Sequence, residues 1–282
     1  MTTSQAPLNV PSLLNQFGIR PSKGLGQNFL TDESILQAIV ATAGVGKEDT
    51  ILEIGPGLGN LTRYLAQAAA KVVAVELDQK LFPILEKVLE TFTNIRLVQG
   101  DILEMDLVDL LPNNGYMVVA NIPYYITSAI LRHLLESTRP PCKMVLTVQK
   151  EIAERICAEN KLSLLAVSVQ VYGKPSIQMH IPAQAFYPAP KIDSALVQIE
   201  ISPTPLINPE HLDGFFLLAR AGFSQKRKTL RNSLSSGLHI PTDQAEQLLT
   251  FVGINPQRRA ETLDLEEWGK LTGHYLDRNK DN

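Results

Sequence analysis

Cysteine is almost missing from this 282-residue chain, which holds only Cys142 and Cys157. Two thiols cannot build a disulfide framework, and they show no metal-ligand spacing. A reducing, cytoplasmic compartment fits. His133, His180, His211, His239 and His274 are scattered as well, so no metal site is expected. Long apolar runs are also absent: none approaches the roughly 20 residues needed to span a bilayer. The start, MTTSQAPLNVPSLLNQF, lacks a basic segment followed by an apolar core and so is no secretory signal. It has no acid before Asp32 but is poor in arginine, so residues 1–23 read as a flexible N-terminal tail rather than a transit peptide. A basic excess is missing too. The net charge of −3 argues, taken alone, against a nucleic-acid binder.

What is present describes an ordinary globular protein, 44% hydrophobic and 20% charged. The length allows one sizeable core plus a smaller second unit. From residue 50 to about 150, short β-rich runs alternate with helical patterns. TILEI, KVVAVEL, NIRLVQGD, YMVVAN and KMVLTVQ read as strands; NLTRYLAQAAA and QKLFPILEKVLETF read as helices, the latter with Pro83 in its first turn. Such alternation predicts a parallel sheet covered on both faces, and the nearly continuous apolar runs agree. SIQMHI and SALVQIEI read as two further strands. After the proline-bearing linker at 201–211, GFFLLARAGF, KRKTLRNSL, TDQAEQLLTFV and DLEEWGKLTGHYL all read as helix. Asp264 with Glu267 predicts a capping box on the last one.

The chemistry gathers at strand ends. The first strand runs into Glu53, Gly55, Gly57 and Gly59, an E-x-G-x-G-x-G pattern opening a helix. Glycines there let a ligand approach the backbone. The dinucleotide pattern G-x-G-x-x-G fails, because its third glycine would be Asn60. A carboxylate beside the loop disfavours a pyrophosphate and favours a ligand with positive charge, such as S-adenosylmethionine (AdoMet). Glu76 ends the second strand, about 20 residues after the glycines, where an acid suits ribose hydroxyls. Asp101 follows the third and could accept from an adenine amino group. The plainer reading is that both acids merely cap helices.

Asn121-Ile122-Pro123-Tyr124 follows the fourth strand. An exocyclic adenine amine is a poor nucleophile because its lone pair is delocalised into the ring. It needs no strong base, since the proton can leave after attack. The Asn121 side-chain oxygen and the Ile122 main-chain carbonyl can orient its N–H groups. Pro123 stiffens the turn, and Tyr124 offers a stacking face. The competing reading is a proline turn with a surface tyrosine.

Together GLGQNFL, LEIGPGLGNLT, VVAVELD, QGDILEMD, NIPYYITSAIL, FYPAPKIDSALVQI and FSQKRKTLRNSL closely resemble the ribosomal RNA adenine N6-dimethyltransferases of the small-subunit type. The resemblance implies an α/β fold: a Rossmann-like AdoMet-dependent catalytic domain at 24–203 with a mostly parallel, seven-stranded sheet. A small helical RNA-binding domain would follow at 204–282. It implies AdoMet contacts from Gln27, Asn28, Leu30, Gly55, Gly57, Glu76, Asp101 and Asn121. Catalysis would rest on Asn121, Ile122, Pro123 and Tyr124, with Phe186 closing the other side of the base. Tyr125 departs from several relatives, which have Asn there. Lys226, Arg227, Lys228 and Arg231 would grip phosphates on a helical surface, although a charge run is usually a solvated face. The implied product is dimethyladenosine at two adjacent adenosines near the 3′ end of small-subunit (16S) rRNA. The partner would be that RNA in an immature 30S-type particle, with a role in its biogenesis. A monomer with no obligate protein partner and no membrane contact is expected. The alternatives are a large-subunit (23S) dimethylase of the antibiotic-resistance type, a DNA adenine methyltransferase, or a non-catalytic assembly or transcription factor on the same fold.

Overall fold

A computed structural model of the chain describes residues 6–111 and 115–280. The chain order is α1 (Val10–Gln16), β1 (Phe29–Leu30), α2 (Glu33–Ala43), β2 (Thr50–Ile54), α3 (Asn60–Ala68), β3 (Lys71–Glu76), α4 (Phe82–Leu89) and β4 (Ile95–Gln99). There follow α5 (Leu107–Leu110), β5 (Met117–Asn121), α6 (Thr127–Leu135), β6 (Lys143–Gln149), α7 (Lys150–Ile156), α8 (Leu164–Gln170), β7 (Gly173–Ile181), β8 (Phe186–Tyr187) and β9 (Ser194–Ile201). The last elements are α9 (Leu212–Phe223), α10 (Leu230–Leu238), α11 (Thr242–Phe251) and α12 (Leu265–Lys280).

Seven strands form one sheet in the order β4-β3-β2-β5-β6-β9-β7. The β4–β3, β3–β2, β2–β5 and β5–β6 pairs are parallel, and β6–β9 is antiparallel. β1 and β8 pair separately. The apolar runs have the predicted cause: Ile51, Leu52, Val72, Val73, Val118, Val119 and Val145 are all buried in the sheet. The order reverses beside β2, whose neighbours are β3 and β5. The carboxyl ends of β2 and β5 therefore lie next to each other, where sheets of this kind open a crevice.

The chain divides into two compact units: residues 1–153 with 176–201, and residues 154–175 with 202–282. This differs from the expected boundary, because α8 groups with the C-terminal helices. Tyr172 and Phe216 stack there at a centroid distance of 6.1 Å. The expected tail at 1–23 is corrected in part, with residues 1–5 outside the described ones. Asn9 caps α1 by accepting from Ser12 N–H at 3.0 Å, and Val10 and Leu14 are buried with Phe29, Leu58 and Leu81. Burying two such side chains contributes about 1.5–3 kcal/mol each. In the second unit the capping box forms: Glu267 N–H donates to Asp264 Oδ1 at 2.8 Å, and Asp264 N–H donates to Glu267 Oε2 at 3.0 Å. Among the described residues no helix is long and apolar enough to cross a membrane, and no group of three or more His, Cys, Asp or Glu could hold a metal ion.

Candidate active site

One cleft in the first unit collects the ends of β2, β3, β4 and β5. Its glycine loop turns tightly: Gly55, Gly57 and Gly59 have φ of 68°, 60° and 84°. At Gly57 a Cβ would also come within 2.8 Å of the Phe29 ring, so a side chain is excluded twice. The Gly57 N–H donates to Glu76 Oε2 at 3.1 Å, and Asp78 N–H donates to Glu76 Oε1 at 2.8 Å. These bonds hold the Glu76 carboxylate still and leave it lone pairs for a ligand. Asp101 accepts from Leu103 N–H through Oδ1 at 2.9 Å while also lining the cleft. The capping and ligand readings of this acid are therefore compatible.

The segment before β1 crosses the mouth of the cleft. Gln27 Nε2 donates to Asp78 Oδ2 at 2.8 Å, and Gln27 Oε1 accepts from Ser22 N–H at 2.7 Å. Asn28 Nδ2 donates to the Gly26 carbonyl at 3.2 Å. Gly26, at φ 62°, sits under the ring of Tyr125, where a Cβ would meet Cδ1 at 3.3 Å. Gln27, Asn28 and Leu30 all line the cleft.

Asn121 is the last residue of β5. Its Nδ2 donates to the Asn28 carbonyl at 3.1 Å, and its buried Oδ1 has no partner. Pro123 follows at φ −59° and ψ 130°, placing Tyr124 at the start of a short turn before α6. Tyr124 Oη and Ser194 Oγ, on β9, are hydrogen-bonded at 2.6 Å. That bond fixes the ring, and burial pushes the phenol pKa up, so the hydroxyl stays protonated. A Cβ on Gly55 would lie 3.8 Å from Pro123 Cδ, which shows how closely the loop and the tetrapeptide approach.

The cleft is electrostatically unusual at Glu53. Its side chain is 1% exposed, and Oε2 has no partner. Burial pushes this carboxyl up to about 8; neighbouring Thr62 opposes the shift and the Glu76 charge adds to it. Burial raises Glu76 as well, against the pull of its backbone donors. A cation entering the cleft would favour the ionised form of both acids.

The structure thus brings together Gln27, Asn28, Leu30, Gly55, Gly57, Glu76, Asp101, Asn121, Ile122, Pro123 and Tyr124 around one cleft. Phe186 is a correction. Expected to close over the base, it is 4% exposed, pairs with Leu30 across β1–β8, and packs in the core. It supports the strand under the crossing segment and offers no open face. The basic run is a second correction. Lys226, Arg227 and Lys228 are exposed in the turn between α9 and α10, not on a helix. Arg231 Nη1 is bound to Glu246 Oε2 at 2.7 Å. Asp78, which anchors Gln27, and Asn60, which lines the cleft, were not singled out in sequence. Both stand inside conspicuous motifs, VVAVELD and GLGNLT.

The doubly wound sheet, the glycine loop with acids at successive strand ends and the neighbouring asparagine turn define a Rossmann-like methyltransferase. The family model for ribosomal RNA adenine dimethylase matches residues 19–275. The chain is 44% identical over 276 residues to a ribosomal RNA small subunit methyltransferase A from Dehalococcoides mccartyi, spanning 95% of each. Among solved structures, a dimethyladenosine transferase from Plasmodium falciparum superposes with a TM-score of 0.75 at 26% identity, covering 89% of this chain and 98% of that one. The 23S rRNA methyltransferase ErmE gives 0.69 at 27% identity, covering 88% and 99%. This chain belongs to the ribosomal RNA adenine dimethylase family, whose members are AdoMet-dependent methyltransferases.

Proposed function

We propose that this enzyme dimethylates the N6 amines of adenosines in small-subunit rRNA, with AdoMet held in the cleft described above. The observation that carries this reading is Asn121. Its amide is turned by the Asn28 carbonyl so that a buried, unpartnered oxygen remains available. AdoMet supplies an activated methyl group on a sulfonium. The cleft suits it: Glu53 and Asn121 leave acceptor oxygens unpaired, and raised carboxyl pKa values favour a cationic guest.

Glu76 would take the ribose hydroxyls and Asp101 the adenine amine, with Gly55 and Gly57 giving room at the loop. Gln27, Asn28 and Leu30 would cover the bound molecule. Asn121 Oδ1 and the Ile122 carbonyl would orient the target amine and draw its nitrogen toward tetrahedral geometry. No base is required before attack, and positioning supplies most of the acceleration. Tyr124, locked by Ser194, would stack on the flipped base, while Phe186 acts from below by steadying Leu30. Lys226, Arg227 and Lys228 would meet RNA phosphates in the second unit. The relatives' name favours the small subunit over the 23S alternative.

The test is mass spectrometry of digested rRNA after incubating the enzyme with AdoMet and small subunits lacking the modification. N6,N6-dimethyladenosine at adjacent positions near the 3′ end is expected. Modification of large-subunit RNA alone would favour the resistance-type activity. Absence of any transfer, with normal subunit maturation by Asn121→Ala in cells, would favour a non-catalytic assembly role.

A further inference from the structure

Tyr125 lines the cleft beside Tyr124, yet neither the orienting of the target amine nor the holding of AdoMet uses it. Its side chain is 58% exposed, and among the described residues of the first unit no large hydrophobic side chain is more so. A lone exposed tyrosine is ordinary on an open surface. At the rim of a cleft that admits a nucleic-acid base, it is a stacking face.

The local geometry separates the two rings. Tyr124–Ile126 form one 3-10 turn, in which successive side chains diverge by about 120°. Tyr124 reaches β9, where its hydroxyl is bound to Ser194 Oγ at 2.6 Å. Tyr125 instead lies over Gly26 in the crossing segment, where an added Cβ would meet ring Cδ1 at 3.3 Å and Cε1 at 3.5 Å. The ring thus rests on the Gly26 main chain along one side, and the residue stays more than half exposed. Contact with Gly26 holds the ring in place before a ligand arrives, which lowers the ordering cost of binding. A strand that delivers one base to Tyr124 brings the next base with it. That neighbour has lost a stacking partner through the flip. A second aromatic face at the mouth of the cleft replaces the partner it lost.

Resting on the proposed transfer to adjacent adenosines, we propose that Tyr125 stacks on the base next to the target and so holds the RNA strand at the mouth of the cleft. Whichever neighbour it takes, the 5′ or the 3′ one, for one of the two target adenosines that neighbour is the other. Tyr125 is then an RNA-binding residue, touching neither the sulfonium nor the reacting amine. The competing role is a clasp, in which the ring only keeps the crossing segment in place.

The experiment measures methyl transfer by the full-length enzyme to small subunits lacking the modification, with AdoMet affinity by isothermal titration calorimetry. Tyr125→Leu keeps an apolar side chain on Gly26 and removes the aromatic face. It should raise KM for the subunits about tenfold, with kcat and AdoMet affinity changed less than about twofold. Tyr125→Phe should keep KM within about twofold of wild type. Subunits with one target adenosine replaced by uridine, which stacks more weakly, give the second readout. At one of the two positions the replacement should raise the wild-type KM for the remaining adenosine about threefold or more, and that of Tyr125→Leu less than about twofold. Thermal melts establish folding, and Tyr125→Ala serves if the leucine variant does not fold. An unchanged KM in Tyr125→Leu would overturn the proposal, as would equal uridine effects in the two enzymes. A loss of AdoMet affinity that accounts for the whole defect would also overturn it and leave the clasp. If wild type transfers no methyl group to small-subunit adenosines, the proposed function fails first and this one with it.

Discussion

Asn121 Nδ2 reaches the main-chain carbonyl of Asn28 at 3.1 Å, tying the end of β5 to the segment that crosses the cleft. One bond thereby does two jobs: it sets which way the amide faces, and it anchors the segment that lines the cleft beside it. Asn121→Ala should therefore lower kcat by at least about a hundredfold, the scale of losing one preorganised hydrogen-bonding group in a site of this kind. Asn121→Asp should fare no better, because a carboxylate cannot donate to the Asn28 carbonyl. Single-turnover methyl transfer with circular dichroism on both variants checks this. Near-normal turnover in Asn121→Ala would refute the assignment of the orienting amide.

Tyr124 allows its ring and its hydroxyl to be separated. Tyr124→Phe removes the bond to Ser194 Oγ and keeps the ring, so stability should drop by about 1 kcal/mol with kcat within a fewfold of wild type. Tyr124→Ala removes the ring proposed to stack on the base, a contact worth about 1–3 kcal/mol per base. It should weaken transfer to RNA by about tenfold to a hundredfold. Equal activity losses in the two variants would mean that the hydroxyl, not the ring face, matters.

Gly57→Ala tests the loop. The residue has φ 60°, and the new Cβ would meet Phe29 Cδ1 at 2.8 Å, against a buried ring. Left-handed strain costs about 1–3 kcal/mol, and the clash also displaces the strand that carries Leu30. A lower melting temperature together with weaker AdoMet binding is expected. Gly115→Ala, at φ 89° with open space around it, should cost stability without affecting the cleft.

These residues also show what could be read in the sequence and what could not. β2 to β6 were legible because each is a short apolar run closed by turn residues. The site was legible because its acids, glycines and asparagine sit at those strand ends, and the sheet order then does the assembling. α1 was missed because its seven residues have little intrinsic helix stability; Val10 and Leu14 are held by residues far along the chain. The place of residues 154–175 in the second unit has no local signal, because the chain leaves that unit and returns to it. Phe186 was misjudged for the same kind of reason: its partner Leu30 lies far away in sequence. Charge marked Lys226 to Lys228 as surface without revealing a turn, and no spacing rule links Arg231 to Glu246.

Glu53 makes the ligand-free protein sensitive to pH. Its folded value of about 8 lies above the ordinary 4.5. Between those limits the folded state keeps a proton that the unfolded chain has released. Stability should therefore fall as pH rises from about 4.5 to about 8 and stay level above. Glu53→Gln lacks this loss, so at pH 8.5 it should be more stable than wild type by on the order of a few kcal/mol, seen as a higher melting temperature, and lose that advantage near pH 5. Saturating AdoMet should shrink the gap at pH 8.5 by stabilising wild type more. Thermal unfolding at the two pH values decides the matter, and curves that stay parallel would refute a buried, protonated Glu53.

The basic turn makes a prediction that separates RNA contact from fold maintenance. Lys226, Arg227 and Lys228 are exposed, whereas Arg231 is engaged with Glu246 at 2.7 Å. Each phosphate contact adds roughly 0.7–0.9 to the slope of log affinity against log salt. Replacing the three exposed residues with alanine should therefore flatten that slope by about two and weaken binding regardless of sequence, with the melting temperature unchanged. Arg231→Ala should do the reverse, lowering the melting temperature while changing the slope by less than about one. Fluorescence anisotropy with a 3′-terminal small-subunit rRNA fragment, titrated at several salt concentrations, gives both slopes. An unchanged slope in the triple variant would remove this turn from the RNA-contacting surface, whatever its charge.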